Sequence, residues 1–260
     1  MKLYLSLSSL LFCFLCSTVN AQPQSDWNQT NAKGEKQGKW REYYENSKVP
    51  KYEGEFNNGK PTGTFTYYYP NKVLKSVMVF DKNPDISRCT MYDEKGKKNA
   101  YGKFYKKEKD SVWTYFSPPG FVSYKETYRN GILHGEKLIF YPPANERSTA
   151  QQIFQQFYYV NGVLEGPVKE FFPDGKLKME GVYKNDKLHG EVKKYHPNGN
   201  VFFIERYKNG KRHGWWSTHN ESGKETARVL FQNGQELKGR LQKKKLEELK
   251  AKGISPNSLD

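Results

Sequence analysis

Apolar and polar residues alternate along short stretches of this chain. In the stretch 177–183, every second position holds Leu177, Met179, Gly181 or Tyr183, and the positions between them are Lys178, Glu180 and Val182. The stretch 74–80 repeats the pattern with Leu74, Ser76, Met78 and Phe80. A period of two with one apolar face is typical of a half-buried antiparallel strand. The sequence therefore predicts short β-strands.

The strands recur with a period of 24 residues. Each period is marked by an aromatic residue that leads into a turn, at Phe56, Phe80, Phe104, Tyr128, Tyr159, Tyr183, Tyr207 and Phe231. One step is lengthened to 31 residues by an insertion near residues 142–152, and a further unit begins near Asn31. In most units a second glycine follows the turn glycine by four positions, as in Gly59 and Gly63. The third and fourth units carry Ser87 and Ser111 at that position, so we expect less tight turns there.

Each unit also contains a second turn that divides it into two strands. The clearest examples are Pro-Asp-Gly at 173–175 and Pro-Asn-Gly at 197–199, which readily supply positive φ. We therefore predict an all-β fold, in which about eight 24-residue hairpins over residues 31–239 form an elongated, twisted antiparallel sheet. Each hairpin advances the sheet by ~10 Å, and rings of neighbouring units hold it together.

The two ends of the chain depart from the repeat. Residues 1–21 combine Lys2, a short apolar run and Ala21 in the pattern of a cleaved signal peptide, and residues 22–30 are expected to be a linker. The apolar run is too short to span a bilayer, so we expect a periplasmic or secreted protein without a transmembrane anchor. Residues 240–260 are predicted to form a capping helix and tail. A stripe of leucines that ends before Gly253 indicates the helix: Leu237, Leu241, Leu246 and Leu249.

Composition favours a folded, basic chain. Aromatic residues make up 15% of the sequence, whereas disordered chains are poor in them. Lys and Arg number 43 against 28 Asp and Glu, a formal net charge of +15, which attracts anionic surfaces. We take Lys103, Lys106 and Lys107 as a candidate anion patch, with acidic glycans or anionic lipids as ligands. The expected export disfavours nucleic acid. The alternative is that these lysines keep the sheet soluble and discourage edge pairing.

No recognisable catalytic framework is present. The sequence lacks GxSxG, HExxH, paired CxxC and GxxxxGK[ST], so we expect no enzyme, no cofactor and no metal. His134, His189 and His213 share one repeat position, just before the second glycine, and spacing of ~10 Å separates neighbouring histidines too far for one metal. We interpret them as turn residues that bond local backbone. After removal of the signal peptide Cys89 is the one cysteine left, and we expect it to be a small buried residue.

The tryptophans follow the repeat as well. Trp40, Trp113, Trp215 and Trp216 lie at or beside the position two residues after the second glycine, where core packing is the default. Trp215 and Trp216 are adjacent, so both cannot face the core. We therefore take Trp215, Trp216 and Tyr195 as a candidate ligand patch, in which exposed rings would cage a sugar or a choline headgroup.

The unit YxNGxxxGxxxxYxPNGxL resembles the variant of the MORN repeat found in bacterial secreted proteins, some of which are labelled antitoxin components of toxin-antitoxin systems. The resemblance covers roughly residues 31–239 and is clearest in the units that begin near Phe56, Tyr128, Tyr159, Tyr183 and Tyr207. It implies an elongated hairpin array used for protein or membrane-surface contacts.

We therefore expect an exported, non-enzymatic MORN-like scaffold with an unknown protein partner. Two alternatives stay open. The first is a module that binds envelope glycan or anionic lipid through exposed aromatics and lysines. The second is an antitoxin-like neutralising partner, although export fits a cytoplasmic antitoxin poorly.

Overall fold

The computed structural model describes residues 26–143 and 151–258, which form one open antiparallel sheet of 21 strands and a C-terminal helix. The predicted signal peptide lies outside the described residues. The first half contains β1 (Gln29–Thr30), β2 (Lys36–Tyr43), β3 (Pro50–Asn57), β4 (Lys60–Tyr68), β5 (Leu74–Phe80), β6 (Ile86–Tyr92), β7 (Lys98–Tyr105), β8 (Glu108–Phe116), β9 (Val122–Arg129) and β10 (Ile132–Phe140). The second half contains β11 (Ile153–Val160), β12 (Val163–Leu164), β13 (Gly166–Phe171), β14 (Leu177–Lys184), β15 (Lys187–Leu188), β16 (Gly190–Tyr195), β17 (Val201–Lys208), β18 (Lys211–Arg212), β19 (Gly214–His219), β20 (Glu225–Gln232), β21 (Gln235–Leu237) and α1 (Gly239–Ala251).

Long strands pair with their neighbours in chain order, so the sheet is a meander. The connection within each hairpin is here called a distal turn, as in Pro-Asn-Gly at 197–199. The described residues form eight hairpins: β2–β3, β4–β5, β6–β7, β8–β9, β10–β11, β13–β14, β16–β17 and β19–β20. The turns between hairpins, led by the aromatic markers, are here called proximal turns. The predicted array of about eight hairpins is confirmed over the described residues.

Proximal turns have the geometry that matches the twist of antiparallel strands. Asn58 and Gly59 have φ of 48° and 74°, and Asn209 and Gly210 repeat these values at 51° and 78°. Positive φ at both central residues defines a type I′ turn, for which Asn-Gly is the preferred pair. The sequence therefore sets this turn locally in each unit that carries Asn-Gly.

The second glycine of each unit bends the strand that follows the proximal turn. Gly190 has φ of 82°, and the bend there separates the short strand β15 from β16. The prediction of less tight turns holds for one of the two serine units. Ser87 lacks this left-handed bend, and β5 and β6 pair without a register shift. Ser111 keeps the bend with φ of 59°, so the fourth unit retains the geometry of the glycine units.

Side chains beside the distal turns tie each unit to the next. The Tyr44 hydroxyl donates to the carbonyl of Tyr68 at 2.7 Å, and the Tyr69 hydroxyl donates to the carbonyl of Tyr92 at 2.9 Å. Tyr141 repeats the bond further along the chain, at 2.9 Å to the carbonyl of Phe171. These bonds stabilise the stacking of units rather than any single hairpin.

The C-terminal helix is shorter than the predicted stripe. Leu237 belongs to β21 and is buried against the sheet, and Leu241 is 60% exposed, so the four-leucine stripe is wrong. Leu246 and Leu249 are the half-buried pair. The helix ends as predicted near Gly253, where the N–H of Ile254 bonds the Leu249 carbonyl at 2.9 Å. This bond, with φ of 65° at the glycine, forms a Schellman motif.

Short segments beyond the hairpins contact the first and last units. The region predicted as a linker at 22–30 includes β1, which pairs with β2. At the other end, the side chain of Asn257 accepts a hydrogen bond from the backbone N–H of Trp215 at 2.9 Å. Both segments bond main-chain groups of the terminal hairpins.

Candidate functional site

One face of the sheet carries the repeated rings and the buried core, and we call it the ring face. It contains the aromatic markers of the repeat together with the residue two positions after each second glycine, which we call the slot residue. The slot residues are Trp40, Phe65, Cys89, Trp113, Lys137, Val168, Val192 and Trp216. Rings of neighbouring units contact each other, as in Phe65 with Phe80 at 5.2 Å and Phe104 with Trp113 at 4.9 Å between ring centroids. The buried cluster of Cys89, Ala100 and Trp113 forms the centre of this face.

The three tryptophans in slots are held by the same hydrogen bond. The indole N–H of Trp113 donates to the carbonyl of Lys103 at 2.9 Å, and that of Trp216 donates to the carbonyl of Arg206 at 2.9 Å. Trp40 donates to Gln29 at 3.0 Å. Each bond satisfies the one polar atom of a ring that packs among apolar groups.

A cation covers each of these tryptophans on the solvent side. It stands four residues before the tryptophan in the sequence: Lys36, Lys109 and Arg212. Lys36 lies 4.3 Å from the ring centroid of Trp40, and Lys109 lies 4.9 Å from that of Trp113. Arg212 lies 4.9 Å from that of Trp216. Such contacts close the ring face over the tryptophan units.

Ion pairs close other parts of the ring face. Lys137, itself a slot residue, bonds the buried carboxylate of Glu126 at 2.9 Å. The buried Glu205 is paired in the same way with Lys194 at 2.8 Å. Each of these carboxylates has a cationic partner, because an unpaired charge buried on this face would lower the stability of the fold.

The ring face opens into a groove where this cover is missing. In the two units with Phe65 and Cys89 in the slots, the residues four positions earlier are Pro61 and Asp85, so neither slot residue has a cation of its own unit over it. Lys36 of the first unit reaches only the near end of the groove, at 5.0 Å from the ring centroid of Phe56 and 5.8 Å from that of Tyr52. Cys89 is also far smaller than the Trp113 of the next unit. The resulting groove has a volume of about 930 Å³, and its floor is formed by Tyr52, Phe56, Phe65, Tyr67, Met78, Phe80 and Phe104.

Charged residues of the proximal turns line one rim of the groove. Lys60, Lys106 and Lys107 contribute three positive charges, and Asp85 contributes a negative one. The backbone N–H of Lys106 donates to the carbonyl of Asp85 at 2.7 Å, which ties the two turns together. The groove is therefore apolar at its floor and cationic at its rim.

The structure divides the predicted anion patch between the two faces. Lys106 and Lys107 lie at the groove rim, whereas Lys103 lies on the opposite face and bonds Asp110 at 2.7 Å. The Lys103 ammonium lowers the pKa of the Asp110 carboxyl below its usual value. The three lysines do not form one cluster.

The structure also divides the predicted ligand patch. Trp215 and Trp216 are successive strand residues, so their side chains point to opposite faces, and both are half-buried. Trp216 packs in the ring face beside Phe231, at 5.0 Å between centroids. Trp215 lies on the other face under the guanidinium of Arg228, at 4.8 Å. The two tryptophans cannot form one cage.

Tyr195, the third member of that patch, lies on the same face as Trp215. Its hydroxyl donates to the carboxylate of Glu180 at 2.6 Å. Burial, and then this bond, raise the pKa of Tyr195 to about 12. The ring is thus held by its own sheet, and binding of a ligand by this tyrosine stays a prediction.

Two of the three repeated histidines, His134 and His189, bond backbone as predicted, although that backbone belongs to the next proximal turn. Nδ1 of His213 is buried and has no hydrogen-bond partner among the described residues. The N–H of Asn161 donates to Nδ1 of His134 at 3.4 Å, and that of Asn209 donates to Nδ1 of His189 at 3.5 Å. Glu165 at the same repeat position accepts from Asn185 at 2.7 Å. Within residues 26–143 and 151–258, no group of three or more His, Cys, Asp or Glu side chains is placed to hold a metal ion.

Cys89 is buried in the slot of the third unit, as predicted from the sequence. Burial raises the pKa of its thiol to about 11. The thiol therefore stays protonated at neutral pH, and it is a poor nucleophile.

The sequence model of the family described as MORN repeat variant matches residues 61–82, 164–185 and 188–209, about a quarter of the chain. The chain contains MORN-variant repeats. The first match includes the part of the groove formed by Phe65, Tyr67, Met78 and Phe80. The antitoxin label carried by some proteins with such repeats receives no support from this match.

Comparison with other known proteins adds little to the MORN-variant assignment. No curated protein matches the chain. Among solved structures, it is similar to the crystal structure of TarM, with 10% identity over 39% of this chain and a TM-score of 0.28. It is also similar to the crystal structure of the GtfA/B complex, with 12% identity over 55% of this chain and a TM-score of 0.16. This chain spans 20% of the length of each, and such TM-scores support no argument about function.

The described MORN-variant array has one helix, α1, which is neither long nor apolar enough to cross a bilayer.

Proposed function

We propose that this protein is an exported, non-enzymatic scaffold that binds a protein partner through the groove of its ring face. The groove itself carries the proposal. Seven apolar or aromatic side chains form its floor, whereas cations or ion pairs cover other parts of the same face. Concave, mostly apolar sites with a few polar groups at their edge are the usual form of a binding site.

The repeat architecture supports a binding role over catalysis. The polar side chains that line the groove are three lysines, two tyrosines, Asp85, Asn83 and Ser87. No histidine lies among them to act as a base for Ser87. Burial raises the pKa of Tyr67, so its hydroxyl stays protonated and is a donor for a ligand. Repeat arrays commonly present long surfaces of this kind to other macromolecules.

The proposal is tested by closing the groove with a residue that the repeat already uses. Pro61→Lys places a lysine four residues before Phe65, the position from which Lys36 and Lys109 cover their tryptophans. The matched control is Pro167→Lys, which makes the same change at an exposed position on the opposite face of β13. Tagged full-length proteins are cross-linked in the source cells and purified at ~0.5 M salt, where electrostatic attraction is short-ranged.

We expect the wild type and Pro167→Lys to capture one and the same protein in stoichiometric amount. Pro61→Lys is expected not to capture it. Equal capture by all three proteins would overturn the role of the groove. Retention on envelope glycan with no protein captured would favour the glycan-binding alternative instead.

Export rests on residues 1–21 and has its own test. Amino-terminal sequencing of the protein from source cells is expected to begin at Gln22. A mature chain that still begins at Met1 would overturn export and leave the groove proposal in place.

A further inference from the structure

Two left-handed proximal turns of the array lack the Asn-Gly pair that their geometry prefers. One is Asn185–Asp186, which keeps the asparagine, and the other has lysine at both positions. The turn between β7 and β8 has Lys106 and Lys107 as its central residues, with φ of 49° and 69°. Other units place Asn-Gly there, at 58–59, 130–131, 161–162, 209–210 and 233–234. The backbone is the same, but lysine stands where those five units have asparagine and glycine.

Lysine in this turn lowers the stability of the fold. A residue with a Cβ in the left-handed region is disfavoured by about 1–2 kcal/mol, whereas glycine adopts that region freely. Lys107 occupies the glycine position. Within the described residues its side chain makes no ion pair or hydrogen bond that would offset the strain, and it is exposed. Residues with such strain are frequent at binding sites, although Lys72, in a distal turn outside the groove, also has a left-handed φ of 71°.

The strained turn lies at the rim of the groove. Lys106 and Lys107 flank one end of the apolar floor, near Phe104, and Lys60 lies on the adjoining rim. Asp85 is the one acidic residue there, so the rim carries a net positive charge. A ligand that fits this site has an apolar part for the floor and an anionic part for the lysines.

The recessed shape favours a protruding chain over a flat surface. A bilayer meets a protein as a plane and is bound by cations and rings that project from it. Here the rings lie at the floor of a groove of about 930 Å³, with the lysines above them. An apolar side chain of a peptide reaches such a floor, while neighbouring carboxylates remain at the rim.

We propose that the groove binds an acidic protein segment with an apolar anchor residue, and that the Lys106–Lys107 turn is its carboxylate-binding arm. This inference rests on the proposed scaffold function and specifies its partner. The strain at Lys107 is retained because the lysine binds the partner. Stability and affinity are therefore opposed at this position.

The test uses two glycine substitutions at left-handed positions of the fourth unit. Lys107→Gly relieves strain and removes the rim charge. Ser111→Gly relieves strain at φ of 59° and lies outside the groove. Thermal unfolding is measured for the full-length proteins, together with binding of a labelled pentapeptide in which phenylalanine is flanked by glutamates. Peptides with lysine in place of glutamate, or with alanine in place of phenylalanine, are the ligand controls.

Both substitutions are expected to raise the melting temperature, but Lys107→Gly alone weakens binding of the glutamate–phenylalanine peptide, by about two- to fivefold for one exposed charge pair. Either ligand control is expected to bind more weakly than that peptide. The inference is overturned if Lys107→Gly binds as tightly as wild type, if either control peptide binds equally well, or if phosphatidylglycerol vesicles are bound in preference to the peptide.

The two proposals fail in different ways. If Pro61→Lys no longer binds the cellular partner and Lys107→Gly binds it with full affinity, the scaffold function is supported and recognition of an acidic segment is refuted. If the peptide binds as expected and no protein is captured from cells, recognition of an acidic segment is supported and the scaffold function is refuted.

Discussion

The fit between Gly102 and Trp113 makes a quantitative prediction about the core of the array. Trp113 is fully buried, and a Cβ added at Gly102 would overlap its indole ring. The backbone at Gly102 is not in the left-handed region, so the effect of Gly102→Ala is steric. The ring is fixed by its bond to Lys103 and by the cluster around it, and it has no room to move.

Overpacking of a well-filled core typically costs 1–3 kcal/mol, and a rigid, fully buried ring places Gly102→Ala at about 3 kcal/mol. Alanine also lowers the conformational entropy of the unfolded chain, which stabilises the fold by about 0.5–1 kcal/mol. We therefore expect the free energy of unfolding to decrease by about 2 kcal/mol in total. Gly181→Ala is the matched control, because its Cβ would lie 2.9 Å from a methyl group of Val192, which can rotate. Its net effect is expected to be below about 1 kcal/mol.

Urea and thermal unfolding of both variants measure these losses. A double mutant adds a second check, since Trp113→Val gives the fourth unit the slot residue found at 168 and 192. Alone, Trp113→Val leaves a cavity and costs about 3 kcal/mol. Combined with Gly102→Ala, the total should fall below the sum by about 2 kcal/mol. Additive effects, or a larger loss for Gly181→Ala than for Gly102→Ala, would refute the steric reasoning.

Three further predictions follow from the buried groups. The Cys89 thiol, with its pKa raised to about 11, should react with a thiol reagent near pH 8 far more slowly in the native protein than in urea, and equal rates would contradict its burial. Burial is the main cause that lowers the pKa of His213, so the unfolded state binds more protons than the folded state. The free energy of unfolding should therefore decrease as the pH falls from ~6.5 towards the pKa of the folded state, and His213→Gln should make it less dependent on pH over that range. Trp216→Phe should cost about 1 kcal/mol, measured by urea unfolding, because it removes the indole bond to the Arg206 carbonyl, which keeps its bond from the His213 N–H; an unchanged midpoint would contradict the indole bond.

The hairpin array was predictable because its signals are local and repeated. A period of two in 177–183 assigns strand faces, and Asn-Gly pairs specify the proximal turns without reference to the rest of the fold. The stripe of leucines failed for a physical reason. Leu237 fits a helical spacing, but β21 pairs it with Leu230 and buries it before the helix begins.

The candidate site was less predictable, since it depends on what is missing. Alternation along a strand already requires Trp215 and Trp216 to point apart, so the proposed cage of these two rings was inconsistent with the predicted strand. The groove has no motif of its own. It follows from a proline and an aspartate at repeat positions that hold a cation in the tryptophan units. Only an alignment of the units by their slot residues would have indicated it.

Site-specific photo-cross-linking tests the central claim most directly. A photoreactive side chain is placed at Lys60, on the groove rim, or at Val79, which is exposed on the opposite face of the same unit. The account predicts that the same cellular protein is cross-linked from position 60 and not from position 79. Cross-linking from position 79 alone, or equally from both positions, would contradict a partner bound in the groove.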